Sequence, residues 1–148
     1  MHAVDIRIVR PEDISDLLKI EQLSFPTCWL ENFLNQAFGH NITRLWLACN
    51  SADKKQAAGY LAAMRTFNEL HLLQIATHPK YRRLGIATAL VRHALDVERG
   101  LKTVQLEVRE TNEPAIFFYR RMGFDHTGRH PRYYSDTGED ALLLTREL

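Results

Sequence analysis

The segment 74–91 constrains the fold more than any other part of the chain. It begins as a short apolar run, passes through the basic turn 82–85, and continues with apolar residues that recur every three or four positions. The first pattern is typical of a buried strand and the second of an amphipathic helix. The sequence therefore predicts a strand, a tight turn and a helix in immediate succession.

The predicted turn has the composition of an anion-binding site. Gly85 stands where a helix begins, so main-chain N–H groups without partners and the positive end of the helix dipole meet there. Arg82 and Arg83 add positive charge. A pyrophosphate fits such a turn, although an ordinary strand–turn–helix junction with solvated arginines would look the same. Neither G-x-G-x-x-G nor G-x-x-x-x-G-K-[ST] occurs, so nothing supports an NAD or nucleoside-triphosphate site.

The composition is that of an ordinary globular protein, and we expect one domain over residues 1–148. Hydrophobic residues make up 45%, charged residues 25%, and the net charge is +1, which argues against a general nucleic-acid binder. No apolar run reaches the roughly 18 residues of a membrane helix. Two cysteines, Cys28 and Cys49, suit reduced thiols in the cytoplasm. We expect no bound metal, because no further ligands accompany His126 and His130. We expect the protein to be a monomer or a weak homodimer.

The remaining patterns predict a mixed α/β chain in the order β-α-α-β-β-β-α-β-α-β-β. Predicted strands lie near 6–8, 44–49, 57–65, 69–77, 103–108, 124–130 and 140–145, and predicted helices near 11–24, 30–38, 86–97 and 112–122. A polar turn at 50–55 joins the second and third strands as a hairpin. In the fourth strand, the adjacent Leu72 and Leu73 break the alternation, which indicates either burial of both faces or a β-bulge.

The fifth strand carries a polar face, made by the alternate residues Thr103, Gln105 and Glu107. A central strand needs two apolar faces, so this one predicts a cleft, with Glu107 placed to accept a proton. A solvated glutamate on an edge strand is the alternative.

Tyr119 lies two turns into the helix that Asn112 caps. A phenol with a pKa of about 10 can protonate a departing thiolate of pKa roughly 8.5–10, because the two pKa values differ little. The alternative is a core aromatic beside Phe117 and Phe118.

Three segments together resemble a known family. The turn 82–87, Arg-Arg-Leu-Gly-Ile-Ala, is similar to the Arg/Gln-x-x-Gly-x-Gly/Ala signature of the GNAT acetyltransferases. The segment 106–124, which reads LEVRETN and then AIFFYRRMGF, resembles a block of the RimI-type ribosomal-protein-alanine N-acetyltransferases. The tail 132–141, RYYSDTGEDA, resembles the same group. The resemblance covers residues 69–145 closely and the early helices more loosely.

The resemblance implies a GNAT fold, with a central, mostly antiparallel sheet of about seven strands flanked by four helices and with strands 4 and 5 splayed. It implies acetyl transfer from acetyl-coenzyme A to a protein N-terminal α-amine, possible substrates being a small-subunit ribosomal protein or other protein N-termini. Glu107 matches the base of this group and Tyr119 its general acid.

The resemblance also assigns binding residues. Those matched to the cofactor are Ile75, Ala76, Thr77, Arg82, Arg83, Leu84, Gly85, Ile86, Ala87, Thr88, Asn112 and Tyr119. Those matched to the peptide substrate are Phe25, Pro26, Tyr133 and Tyr134. Relatives often read Phe-Pro-Trp-Ser where this chain has Phe25-Pro26-Thr27-Cys28-Trp29, so the preferred first residue stays open. Acetylation of a small amine or of lysine is one alternative function, and a non-catalytic acyl-coenzyme A sensor is another.

Overall fold

The computed structural model describes residues 4–52 and 56–148, and these form seven strands and four helices in the predicted order. The strands are β1 (Val4–Ile8), β2 (Thr43–Asn50), β3 (Ala57–Thr66), β4 (Glu69–Thr77), β5 (Thr103–Arg109), β6 (Asp125–His130) and β7 (Ala141–Glu147). The helices are α1 (Ile14–Ser24), α2 (Leu30–Ala37), α3 (Ile86–Val97) and α4 (Glu113–Arg121), with short 3-10 turns at Pro11–Asp13 and Pro79–Tyr81. Residues 53–55 of the predicted polar turn lie outside the described residues.

The strand order is β1-β2-β3-β4-β5-β7-β6, which confirms the predicted mixed α/β sheet. β4 runs parallel to β5, whereas β2 is antiparallel to β1 and β3, and β7 is antiparallel to β5 and β6. The register of β4 with β5 covers four residue pairs, from Glu69 with Thr103 to Leu72 with Leu106. Pairing over only the first part of each strand is what splayed strands require.

The chain packs as two compact units. The first unit holds residues up to Met64 together with Gln74–Arg99, and the second holds Arg65–Leu73 and Gly100–Leu148. Fully buried residues of the first unit include Leu17, Ile20, Leu30, Leu47, Tyr60, Leu61, Ile86 and Leu90. Those of the second include Leu70, Val104, Phe124 and Leu144. The single-domain organisation stays a prediction.

The beginning of α3 lies very close to the sheet of the first unit. A Cβ atom built on Gly59 of β3 would stand 2.7 Å from the Ala76 carbonyl oxygen and 2.9 Å from Cγ2 of Ile86. Both distances are below van der Waals contact, so only glycine allows this packing. The close approach fixes the first residue of α3 against β4.

The break in the alternation of β4 has a simple cause. Burial alternates without interruption along the strand, because Leu70, Leu72, Gln74 and Ala76 are buried while Leu73 and Ile75 are half-buried. Of the two explanations predicted for Leu72 and Leu73, the regular alternation needs no β-bulge, and the second face of the strand is half-buried and not fully buried. The alternation breaks in the sequence because a polar residue, Gln74, occupies a buried position at which the pattern predicts an apolar residue.

A buried polar network of the first unit accounts for Gln74. The Tyr60 hydroxyl donates to Oε1 of Gln74 at 2.6 Å, and the amide nitrogen of Gln74 donates to Oε2 of Glu21 at 3.2 Å. The same carboxylate oxygen accepts the main-chain N–H groups of Trp29 and Leu30 at 3.1 and 3.0 Å. Glu21 therefore caps α2, which has no cap from its own N-terminal side chain.

Candidate active site

The basic turn of the first unit has the geometry of an anion cradle. Arg83 and Gly85 both have left-handed backbone conformations, with φ of 64° and 80°. Residues 82–85 are exposed, and no side chain among the described residues caps α3 at its N-terminal residue Gly85. The N–H groups of Ile86, Ala87 and Thr88 form the first turn of α3, where main-chain donors lack helical partners. These residues fit a pyrophosphate.

Arg82 is not simply solvated. Its Nε donates to the carbonyl oxygen of Thr77 at 3.3 Å, and its Nη2 donates to the Ser24 hydroxyl at 3.4 Å. The arginine thus ties the end of β4 to the end of α1. Thr77 is the last of the predicted cofactor residues 75–77, and Ser24 directly precedes the predicted substrate residues.

The predicted substrate residues of the first unit follow α1. Phe25 ends that helix, donating its N–H to the Glu21 carbonyl oxygen at 2.9 Å, and is half-buried, whereas Pro26 is exposed. The loop from Phe25 to Trp29 therefore presents both to solvent. The structure places them on the same unit as the basic turn.

Glu107 lies in a polar cluster of the second unit. Its Oε2 is 2.5 Å from Nε2 of His71, and its Oε1 is 3.8 Å from Nε2 of His130. The glutamate side chain is only 14% exposed, so it is not the solvated edge-strand residue of the alternative reading. The predicted polar face of β5 is confirmed, since Val104, Leu106 and Val108 are buried while the alternate residues are half-buried.

The His71 contact controls the charge of Glu107. Burial alone would raise the pKa of this carboxyl, but the hydrogen bond from His71 outweighs it, and the net effect lowers the pKa below its usual value. His130 contributes a smaller attraction in the same direction. Glu107 is therefore ionised at neutral pH.

Tyr119 lies in an aromatic cluster of the second unit. Its ring is 5.0 Å from that of Phe118 and 5.6 Å from that of Phe124, both edge to face. The side chain is half-buried, and its hydroxyl has no hydrogen-bond partner among residues 4–52 and 56–148. Burial, helped by the neighbouring Tyr134, raises the pKa of the phenol well above 10. Burial thus moves the pKa of this phenol away from the usual value that the sequence analysis assumed, because the ring is less hydrated than in a peptide.

Tyr133 and Tyr134 lie in the loop 131–140, which Arg109 of β5 anchors. Arg109 lies over the Tyr134 ring, 4.0 Å from its centroid, and binds both carboxylate oxygens of Asp136 at 2.8 and 3.1 Å. Burial raises the pKa of Tyr134 to about 12, with Arg109 opposing the shift. Tyr133 is 51% exposed and packs against the His130 ring with centroids 5.7 Å apart. The loop is thus built to present Tyr133 beside the Glu107 cluster.

In the second unit, Tyr133 and Tyr134 both interact electrostatically with Glu107, and Tyr134 interacts in the same way with Tyr119. Asn112 caps α4, its Oδ1 accepting the Ala115 N–H at 3.3 Å. Sequence reasoning missed His71 and Arg109. The sequence did contain a signal for His71, because it is a polar residue of the strand predicted next to the polar face of β5. Nothing in the sequence indicated that Arg109 anchors a loop.

Other chemistries find little support among the described residues. Burial raises the pKa of the Cys49 thiol, and desolvation together with Glu21 raises that of Cys28, which opposes thiolate formation. Residues 4–52 and 56–148 contain no group of three or more metal-ligating side chains. Within the same ranges, none of the helices is both long and apolar enough to span a bilayer.

Comparisons with known proteins point to one family. The model of the Acetyltransferase (GNAT) family matches residues 12–124. A [ribosomal protein bS18]-alanine N-acetyltransferase of Escherichia coli is 30% identical, with 89% of each chain covered. An N-alpha-acetyltransferase of Sulfurisphaera tokodaii is 31% identical, with 97% of this chain and 92% of the relative covered. The crystal structure of the ribosomal-protein-S18-alanine N-acetyltransferase from Escherichia coli matches with a TM-score of 0.87 at 27% identity, covering 98% of this chain and 94% of that one.

Proposed function

Because the chain belongs to the GNAT family of acetyltransferases, we propose that it transfers acetyl from acetyl-coenzyme A to the N-terminal α-amine of a protein. The observation that carries the proposal is the position of Glu107, whose side chain is 14% exposed, contacts His71 and interacts electrostatically with Tyr133. One relative, 31% identical, is named an N-alpha-acetyltransferase, and another, 30% identical, is named an alanine N-acetyltransferase of ribosomal protein bS18. We take an N-terminal alanine of a small-subunit ribosomal protein, in the cytoplasm, as the first substrate to test.

In this proposal the first unit holds the coenzyme, which supplies the acetyl group as a thioester. The N–H groups of Arg83–Thr88 bind the pyrophosphate, and the main chain of Ile75–Thr77 aligns the pantetheine arm. Arg82 supports both segments, since it bonds to Thr77 from within the turn. A main-chain N–H at the thioester carbonyl would stabilise the charge that develops there.

In the second unit, Glu107 accepts the proton of the attacking amine and Tyr119 donates a proton to the departing sulfur. The new bond joins the amine nitrogen to the acetyl carbon, and the bond that breaks joins that carbon to sulfur. The raised pKa keeps Tyr119 protonated before the reaction, but it also makes proton transfer to the thiolate less favourable than from a phenol with the usual pKa. No side chain or main-chain group of the described residues bonds to its hydroxyl, which leaves that hydroxyl available for this role.

The charge state of the substrate favours an α-amine over lysine. The usual pKa is about 7.8 for an α-amino group and about 10.4 for a lysine, so the lysine costs about 3.5 kcal/mol more to deprotonate. One carboxylate of lowered pKa is a modest base. It suits the amine that is already partly neutral at pH 7.

The test is acetylation of a peptide library that varies the first residue and contains internal lysines, with the acetyl groups located by mass spectrometry. We expect acetyl on the α-amine of peptides that begin with Ala or Ser. Turnover of polyamines, aminoglycosides or amino acids but not of peptides would instead establish a small-amine enzyme. A thermal shift with acetyl-coenzyme A but no acetylation of any amine would establish a sensor. The Glu107→Gln variant is the negative control.

A further inference from the structure

We propose that His71 is a positioning residue for this reaction, which holds Glu107 through Oε2 and leaves Oε1 as the oxygen that takes the proton of the amine. The inference rests on the proposed function, since it assigns a role beside the proposed proton acceptor. It goes beyond the predicted site, in which Glu107 acts alone. The carrying observation is the 2.5 Å contact between Nε2 of His71 and Oε2 of Glu107.

The parallel pairing of β4 and β5 creates this contact. His71 pairs with Gln105, and Glu107 lies two residues further along β5, on the same face of the strand. Diagonal neighbours in a sheet lie within reach of long side chains. The contact therefore follows from strand register, and both residues belong to the second unit.

The contact also fixes where the protons are. An ionised carboxylate only accepts hydrogen bonds, so Nε2 of His71 carries the hydrogen and donates it. Glu107 can then receive a further proton at Oε1 without any change at His71. When the proton leaves to solvent, the carboxylate returns to its starting state. No step in this sequence transfers a proton to the imidazole.

Several titratable groups face the carboxylate besides His71. His130 of β6 approaches Oε1 at 3.8 Å, and Tyr133 and Tyr134 of the following loop interact with Glu107 electrostatically. Arg109 of β5 acts on Tyr134. His130 is too distant for a hydrogen bond, so Oε1 stays available for the amine or for one bridging water.

The experiment compares His71→Gln with His71→Leu in the full chain. A glutamine can place an amide N–H where Nε2 of the histidine lies, whereas leucine fills the space without a donor. We expect kcat to fall roughly 10–100-fold in His71→Leu, a fraction of the 10²–10⁴-fold that a general base supplies. We expect kcat within a few-fold of the parent in His71→Gln, with peptide KM unchanged in both. His126→Leu, which removes an exposed imidazole of β6, is the matched control and should leave kcat unchanged.

A second readout does not depend on turnover. The Glu107 carboxyl, followed by ¹³C NMR, should titrate at a higher pH in His71→Leu, because burial then acts without the hydrogen bond. In His71→Gln it should stay below its usual value. The inference is overturned if His71→Leu keeps the parent kcat, if His71→Gln is as slow as His71→Leu, or if the Glu107 titration does not move. A parent enzyme that acetylates no peptide overturns the proposed function instead, and the NMR titration still decides whether His71 controls the carboxylate.

Discussion

At the scale of single residues, Tyr119 offers the clearest separation of chemistry from binding. Replacing Tyr119 by Phe removes one hydroxyl that has no partner among the described residues, and keeps the ring contacts with Phe118 and Phe124. We therefore expect kcat to fall 10²–10⁴-fold, as for the loss of a general acid. The melting temperature and the affinity for acetyl-coenzyme A should stay unchanged. Steady-state kinetics and calorimetry of the purified variant measure both.

The matched control is Phe117→Leu on the same helix, where an exposed ring has no assigned role. It should keep the parent kcat. A Tyr119→Phe enzyme with parent turnover would remove Tyr119 from the mechanism, and would make it a core aromatic as in the alternative reading.

Single residues also show how far sequence reasoning reaches. Glu107 could be predicted, because its place on a polar strand face follows from a period of two. The role of His71 could not, because it depends on which residues of β4 and β5 are paired, and register is a tertiary property. The high pKa of Tyr119 was missed for a similar reason, since burial by Phe124 and other distant residues causes it.

At the scale of elements, an ion pair joins β1 to the turn that begins α1. Arg7 of β1 donates to both carboxylate oxygens of Asp13 at 2.7 and 2.9 Å, and the Arg10 N–H donates to the same carboxylate at 2.7 Å. Asp13 is 6% exposed, so its charge has little water to replace these donors. The pair attaches the edge strand to the first helix of the first unit.

We expect Asp13→Asn to lower the free energy of unfolding at pH 7 by about 2 kcal/mol, through the loss of charge-assisted hydrogen bonds. The Arg7 hydrogen bond lowers the pKa of Asp13 in the folded state. The stabilisation by this ion pair is therefore complete above the pKa of Asp13 in the unfolded chain, about 3.9, and is lost as the pH falls through the lower pKa of the folded state. Urea unfolding should show a constant difference from the parent between pH 7 and about pH 5, shrinking below about pH 4.

The exposed neighbour Glu12→Gln is the control and should change stability little at any of these pH values. A difference for Asp13→Asn that stays constant down to pH 3 would show that the side chain acts by shape and not by charge.

The number and order of the elements were predictable from periodicity, Pro11, Asn112 and the glycines, and their bounds to within three residues. The largest difference is at the first helix, which was predicted from Pro11, whereas Pro11–Asp13 form a 3-10 turn and α1 begins at Ile14.

The cap of α2 was not predictable. It comes from Glu21, nine residues before Leu30, and from a partner in β4, Gln74. In the sequence, Glu21 lies between apolar residues of a predicted helix and is expected at the surface. Its role as a cap depends on how the next helix packs, which the sequence does not show.

At the scale of the whole molecule, ligand binding should appear as a change in global stability. A ligand present at 100 times its dissociation constant stabilises the folded state by about 2.7 kcal/mol. For a chain of 148 residues, this corresponds to a rise in melting temperature of roughly 5–10 °C. Acetyl-coenzyme A should give this rise, whereas S-acetyl-pantetheine at the same concentration, which lacks the pyrophosphate, should give much less.

Two glycines allow the cradle to be tested against a control of equal strain. Gly85 precedes α3 with φ of 80°, and Gly39 follows α2 with φ of 84°, and a Cβ atom at either would meet nothing within 4 Å. Alanine at either position should therefore lower stability by a similar amount, about 1–2 kcal/mol for a left-handed conformation. Only Gly85→Ala should also reduce the acetyl-coenzyme A shift, because a relaxed turn moves the N–H groups that bind the pyrophosphate. Equal shifts in the two variants, or a full shift with S-acetyl-pantetheine, would place the coenzyme's main anchor outside the turn 82–88.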